Sequence, residues 1–124
     1  MPEVQQERRL LEPADLAREV VDLLADRQAE DVVLLDLRKV APFADYFVIA
    51  TASNSRHIRA LVETLSKELR NETRGASHQE GDAESGWVLL DYGSVIVHVF
   101  SPELRERYAL EELWRAATPV VRIQ

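Results

Sequence analysis

Residues 87–100, WVLLDYGSVIVHVF, constrain the fold more than any other stretch of the chain. Two alternating runs of β-forming residues flank Gly93-Ser94, a dipeptide that suits a two-residue hairpin with glycine at the position needing positive φ. So short a turn sets the register. With Tyr92 opposite Val95, Asp91 faces Ile96, Leu90 faces Val97, Leu89 faces His98, Val88 faces Val99 and Trp87 faces Phe100. Parity then divides the ribbon into two faces. Val88, Leu90, Tyr92, Val95, Val97 and Val99 form one, made of core-type side chains. Trp87, Leu89, Asp91, Ile96, His98 and Phe100 form the other, which mixes large aromatics with a carboxylate and an imidazole. Trp87 and Tyr92 therefore fall on opposite faces.

The rest of the chain must cover that ribbon. Residues 45–52 (DYFVIATA) are apolar on both faces and rich in β-formers, the mark of a central strand. Residues 31–38 (DVVLLDLR) alternate, with Val33, Leu35 and Leu37 on one side and Val32, Leu34, Asp36 and Arg38 on the other, which predicts a strand with one partly polar face. Pro13 suits the first position of a helix carrying Leu16, Val20, Leu23 and Leu24, expected to end near Gln28 or Ala29. A second helix follows the N-cap candidates Ser53, Asn54 and Ser55, with Ile58, Leu61, Val62, Leu65 and Leu69 on its apolar side, and ends by Gly75. Residues 76–86 (ASHQEGDAESG) lack an apolar period and read as a mobile acidic loop preceded by at most a short strand. Ser101, Pro102 and Glu103 then open a last helix running to about Ala117, with Leu110, Leu113, Trp114 and Ala117 at helical spacing. Pro119 stops it, and residues 120–123 read as an extended tail. The expected fold class is α/β, mixed α+β: a flexible leader at residues 1–12, then a single domain at 13–124 with a mixed sheet of four or five strands packed by helices.

The composition excludes several classes of function. Cysteine is absent, which removes disulfides, zinc knuckles, iron–sulfur centres and thiol nucleophiles. Fifteen basic against 22 acidic side chains leave a net charge of −7, which opposes unaided binding to phosphate backbone and suits a basic protein partner. No apolar run approaches the ~18 residues that would span a bilayer. The charged start has no apolar signal region, so the expected location is the cytoplasm. No phosphate-binding glycine loop is present, no metal or other cofactor is expected, and His57, His78 and His98 lack metal-ligand spacing.

Two chemical alternatives stay open at this point. Asp36, Asp45, Asp91 and His98 would form the seed of a nucleotide-binding or nucleotidyl-transfer enzyme if the fold gathered them. Otherwise Asp45 caps a strand end, Asp91 sits in solvent near the hairpin tip and His98 is a satisfied side chain on a half-exposed face. Arg56, Arg59, Lys67 and Arg70 on the second helix would suit RNA, or be an ordinary solvated face.

Three motifs carry a family resemblance. DYFVIATASNSRHIRAL at 45–61, WVLLDYGSVIVHVF at 87–100 and RERYALEELW at 105–114 resemble the ribosomal silencing factor family, also called RsfS or iojap, in the family's order. The similarity runs from about Pro13 to Ala117. It implies a small nucleotidyltransferase-like domain without catalytic residues, not an enzyme. It implies binding to the large ribosomal subunit through ribosomal protein uL14, obstruction of small-subunit joining, translation repression under nutrient limitation, and a homodimer when free. The family's interface pattern falls on Trp87, Asp91, Tyr92 and His98 of the hairpin, and on Tyr108, Glu111, Leu113 and Trp114 of the last helix. Asp45, Tyr46, Ser55, Arg56 and His57 belong to its signature, as partner contacts or as supports of the fold. Three positions depart from the pattern: Ala52 replaces a glycine, Ser94 an aspartate in the turn and Arg107 an aromatic, the last bearing on how the final helix packs.

Overall fold

The computed structural model describes residues 11–70, 78–113 and 117–123. The chain runs α1 (Pro13–Asp26), β1 (Glu30–Asp36), β2 (Tyr46–Thr51), α2 (Ser55–Glu68), β3 (His78–Asp82), a 3-10 turn (Ala83–Ser85), β4 (Trp87–Asp91), β5 (Val95–Phe100), α3 (Pro102–Tyr108), α4 (Leu110–Leu113) and β6 (Thr118–Ile123). The six strands form one mixed sheet in the order β3-β4-β5-β2-β1-β6. Among the described residues only β2 and β5 pair in parallel. These two strands are central, and all six residues of β2 are buried, as its unbroken apolar run requires.

The hairpin adopts the register its turn demands, from Trp87 opposite Phe100 to Asp91 opposite Ile96. Gly93 holds φ +90° at the turn, and the Tyr92 N–H donates to the Val95 carbonyl at 2.9 Å. Parity also separates the two core layers. Val88, Leu90, Val95, Val97 and Val99 pack with Val32, Leu34, Val48 and Ala50 beneath α1 and α2. Val33, Leu35, Leu37, Phe47, Ile49 and Phe100 face the other way, where Ala41, Ala44, Leu110 and Ala117 cover them. Both long helices thus lie on one side of the sheet.

Three elements depart from the sequence expectation. The expected acidic loop contains β3, an edge strand paired antiparallel with β4 from His78 opposite Asp91 to Asp82 opposite Trp87. All five of its residues are exposed, so no apolar period announces it; pairing to β4 holds it in place. The expected tail is β6, which pairs antiparallel with β1 and brings the sheet to six strands rather than four or five. Pro119 is tolerated there because an edge strand has a side that needs no donor. Flanked on both edges, β1 is buried on both faces, and its polar end is closed by a 2.7 Å ion pair between Asp36 and Arg38.

The last helix does not run through to Ala117. It breaks at Ala109, which holds φ +44° between α3 and α4. Ahead of the break, α3 is tied to the end of β2. Arg105 is buried, its Nη1 donates to Thr51 Oγ1 at 2.9 Å, and its Nη2 lies 3.5 Å from Asp31 Oδ2. Arg122 adds a second guanidinium 2.8 Å from Asp31 Oδ1, out of line for a hydrogen bond, so that contact is ionic. With α3 anchored in this way the left-handed residue redirects the chain, and both Leu110 and Ala117 bury against the sheet. Of the expected leader, residues 1–10 lie outside the described set. Leu11 already packs on the core, and the Glu12 carbonyl accepts from Leu16 N–H at 2.8 Å. No helix among the described residues is long and apolar enough to cross a membrane.

Candidate functional site

The sheet face opposite the two long helices carries a continuous aromatic layer. Trp87 on β4 stacks on Phe100 of β5, with centroids 4.9 Å apart, and meets Tyr108 of α3 at 4.8 Å. His98 lies parallel to Phe100 at 6.1 Å and meets Phe47 from β2 in a T-shaped contact at 4.7 Å. Phe43, from the loop before β2, continues the row to Phe47 at 6.3 Å. The layer is only partly covered. Phe43 is 54% exposed and Tyr108 46%, and Trp87, Leu89 and Ile96 are half-buried. Large aromatic side chains at a partly open, rigid sheet surface are the usual anchors of a protein interface.

His98 is the polar centre of this layer. The residue is 4% exposed, which corrects the expected half-exposed setting. Its Nδ1 accepts from the Trp87 indole N–H at 3.2 Å, which assigns the proton of the neutral ring to Nε2. Nε2 is buried and has no hydrogen-bond partner among the described residues, so the side chain is not the satisfied one expected. Burial pushes the imidazole pKa down to about 4 and keeps the ring neutral at physiological pH.

The remaining residues singled out in the sequence divide by location. Asp91 ends β4, and its Oδ1 accepts from the Gly93 N–H at 2.7 Å, bracing the turn. Tyr92 packs on the opposite side, against the helix-covered core, away from Trp87. Its hydroxyl is buried without a partner among the described residues, and burial pushes its pKa up to about 12. Glu111 and Leu113 fall within α4, while Trp114 lies outside the described residues. Of the three departures, Arg107 is exposed and leaves α3 formed, Ala52 is buried with its N–H on the Phe100 carbonyl, and the Ser94 carbonyl accepts from the Asp45 and Tyr46 N–H groups.

The signature segment makes internal contacts. Asn54 is the N-cap of α2, its side chain accepting from His57 N–H at 2.8 Å. The His57 ring accepts at Nδ1 from Ser53 N–H and donates from Nε2 to the Arg27 carbonyl at 2.9 Å, joining the start of α2 to the end of α1. Tyr46 is buried beneath the Arg38 guanidinium, which lies 5.5 Å from its ring. Ser55 opens α2 and Arg56 is exposed beside it.

Of the four groups of the catalytic seed, Asp36, Asp91 and His98 are occupied separately, and Asp45 lies just before β2 with its N–H on the Ser94 carbonyl. Arg38 holds the Asp36 carboxyl below its usual range, Asp91 serves the turn, and His98 is sealed in the aromatic layer. Among the described residues no three His, Cys, Asp or Glu side chains gather to hold a metal ion. A cleft of about 500 Å³ at the end of β2 is lined by Arg105 and Arg122, both engaged with Asp31. Sequence reading had not marked Phe43 or Phe47 as part of the aromatic face. The signal for Phe47 lay in its parity with Ile49 across the parallel pairing to His98; Phe43 carried none.

Known proteins share this architecture. The family model described as "Ribosomal silencing factor during starvation" matches residues 11–124. The ribosomal silencing factor RsfS of Zymomonas mobilis is 38% identical over 103 residues, covering 83% of this chain and 77% of that protein. The RsfS of Halalkalibacterium halodurans is 33% identical over 106 residues, covering 86% and 91%. A crystal structure of a protein from Chromobacterium violaceum superposes with a TM-score of 0.79 at 29% identity, covering 92% of this chain and 95% of that one. With the match extending over nearly the whole chain, in sequence and in fold alike, this protein belongs to the ribosomal silencing factor family.

Proposed function

We propose that this chain docks on the large ribosomal subunit through ribosomal protein uL14 and there obstructs joining of the small subunit, repressing translation under nutrient limitation. The observation that carries the proposal is the half-open aromatic layer of Trp87, Phe100 and Tyr108 on the sheet face left free by α1 and α2. Such a mechanism requires no chemistry. It requires a rigid body that fills the volume of an incoming particle and a patch that holds it there. Trp87 and Tyr108 supply apolar anchors, with His98 beneath them and Asp91 at the rim; Glu111, Leu113 and Trp114 join the proposed contact on the family pattern alone. Tyr92, on the opposite side of the hairpin, joins it on that pattern alone as well. The net charge of −7 favours encounter with a basic ribosomal protein. The names of the Zymomonas and Halalkalibacterium relatives, ribosomal silencing factors, support the same reading. In free cytoplasmic protein the same apolar face would pair two copies, so that dimer and ribosome compete for it.

Co-sedimentation with separated subunits tests the proposal. The protein is expected to travel with the large subunit and to reduce formation of joined ribosomes. Failure to travel with it, with joining unaffected, refutes the reading. Trp87→Ala should weaken binding by about 2 kcal/mol or more if the indole is an anchor. Unchanged affinity in a folded variant removes Trp87 from the contact.

A further inference from the structure

The buried Nε2–H of His98 donates to nothing among the described residues, although almost every buried donor in a native protein is paired. Packing alone does not call for an imidazole at this position. The ring lies parallel to Phe100 and meets Phe47 in a T-shaped contact, arrangements that a phenyl ring would make as well. Nor does the indole of Trp87 explain both nitrogens, because it engages Nδ1 only. That same bond settles the proton on Nε2, so the unpaired group is a fixed donor in a buried aromatic setting.

The cover over this donor is thin. The row around it ends in Phe43 and Tyr108, both about half exposed, and Trp87 is itself partly open. We infer that His98 Nε2–H is held for a neutral acceptor oxygen, a carbonyl or hydroxyl, that the docking partner inserts among these side chains; the inference rests on the docking reading above. A carboxylate is the wrong acceptor. Surrounded by Phe47, Trp87 and Phe100 it would lose its hydration without gaining a counter-charge. A cationic group is excluded by the donor itself. The basic groups of the partner belong at the rim, near Asp91 on the same side of the hairpin, and a neutral oxygen belongs at the centre. His98 would then set specificity, since a surface offering no acceptor leaves the donor unpaired in the complex as well.

The test compares His98→Gln with His98→Asn for binding to purified large subunits, beside the wild type. Glutamine places an amide donor near the Nε2 position, whereas asparagine keeps an acceptor for Trp87 and has no atom that far out. His98→Gln is expected to bind within about threefold of wild type and His98→Asn about tenfold weaker or worse. His98→Asn binding as wild type overturns the inference, and so does equal loss in both variants with their melting temperatures unchanged, which is a packing role. Nitrogen-15 spectra of wild-type protein give a check that does not depend on the variants folding. On addition of isolated uL14 the His98 Hε2 resonance should move downfield and exchange more slowly; an unmoved resonance in the formed complex overturns the inference. If the wild type binds neither large subunits nor uL14, the docking reading falls, and this inference with it.

Discussion

Acid should destabilise this fold through His98. Above pH 6.5 the imidazole is neutral in the folded and the unfolded chain, and its titration contributes nothing to the pH dependence of stability. Between 6.5 and about 4 the unfolded chain binds a proton that the folded chain refuses, so stability falls as pH falls. Below about 4 the folded state protonates too, and the loss levels off. At about 1.4 kcal/mol per pH unit the full loss is about 3 kcal/mol, and about 2 kcal/mol of it has occurred by pH 5. The ring is 4% exposed, so solvent does little to relieve it. That loss is a large share of the ~5–15 kcal/mol by which a domain is stable. Urea unfolding of wild type and of His98→Asn, from pH 7 to pH 4.5, isolates the effect. Carboxylates titrate in both proteins and cancel in the difference, whereas the imidazole exists only in the wild type. The wild-type stability relative to the variant should shrink by about 2 kcal/mol between pH 7 and pH 5. A difference that stays constant over this range would refute the reasoning, because it would mean that the buried ring accepts a proton without penalty.

Other perturbations bear on separate parts of the structure. Asn54→Ala removes the cap on α2 and should cost about 1 kcal/mol in thermal or urea unfolding; no change would mean the 2.8 Å bond to His57 N–H contributes nothing. Gly81→Ala should cost about 2 kcal/mol, since Gly81 holds φ +78° and an added Cβ would stand 2.1 Å from the Trp87 carbonyl oxygen. Amide exchange in β3 should quicken in that variant, and unaltered protection would argue against the close approach. Arg105→Met leaves Thr51 Oγ1 without its donor and Asp31 with Arg122 alone, and should lower stability by about 2 kcal/mol. The loss is held below that of a fully buried pair because the Asp31 side chain is 36% exposed; urea midpoints that coincide would show the network to be idle.

The hairpin was readable in the sequence because its information is local. A two-residue turn and period-two alternation settle which side chains oppose each other, and the observed register from Trp87–Phe100 to Asp91–Ile96 follows from them. The same parity separated Trp87 from Tyr92 and sorted β1 into its two faces. Helix starts were equally local: Pro13 is the first residue of α1, and Asn54 and Ser101 cap α2 and α3. Of the candidate site, Trp87, His98 and Tyr108 were recognisable as residue types on the right elements, and the structure brings them together.

What the chain alone did not determine depends on distant partners. β3 has no apolar residue turned toward a core, so its strand conformation exists only because β4 offers an unpaired edge. β6 is a strand for the same reason beside β1, and α3 is held by a buried guanidinium reaching Thr51, 54 residues away in sequence. The aromatic face shows the division most clearly. The sequence determined that β4 and β5 carry Trp87, His98 and Phe100 on a shared side, because strand geometry alternates without regard to context. Only the tertiary structure decided that α1 and α2 both settle on the other side, that Phe43 and Phe47 extend the layer, and that His98 is sealed with an unpaired donor. Alternation is a property of one strand, whereas exposure and polar satisfaction depend on everything packed above it.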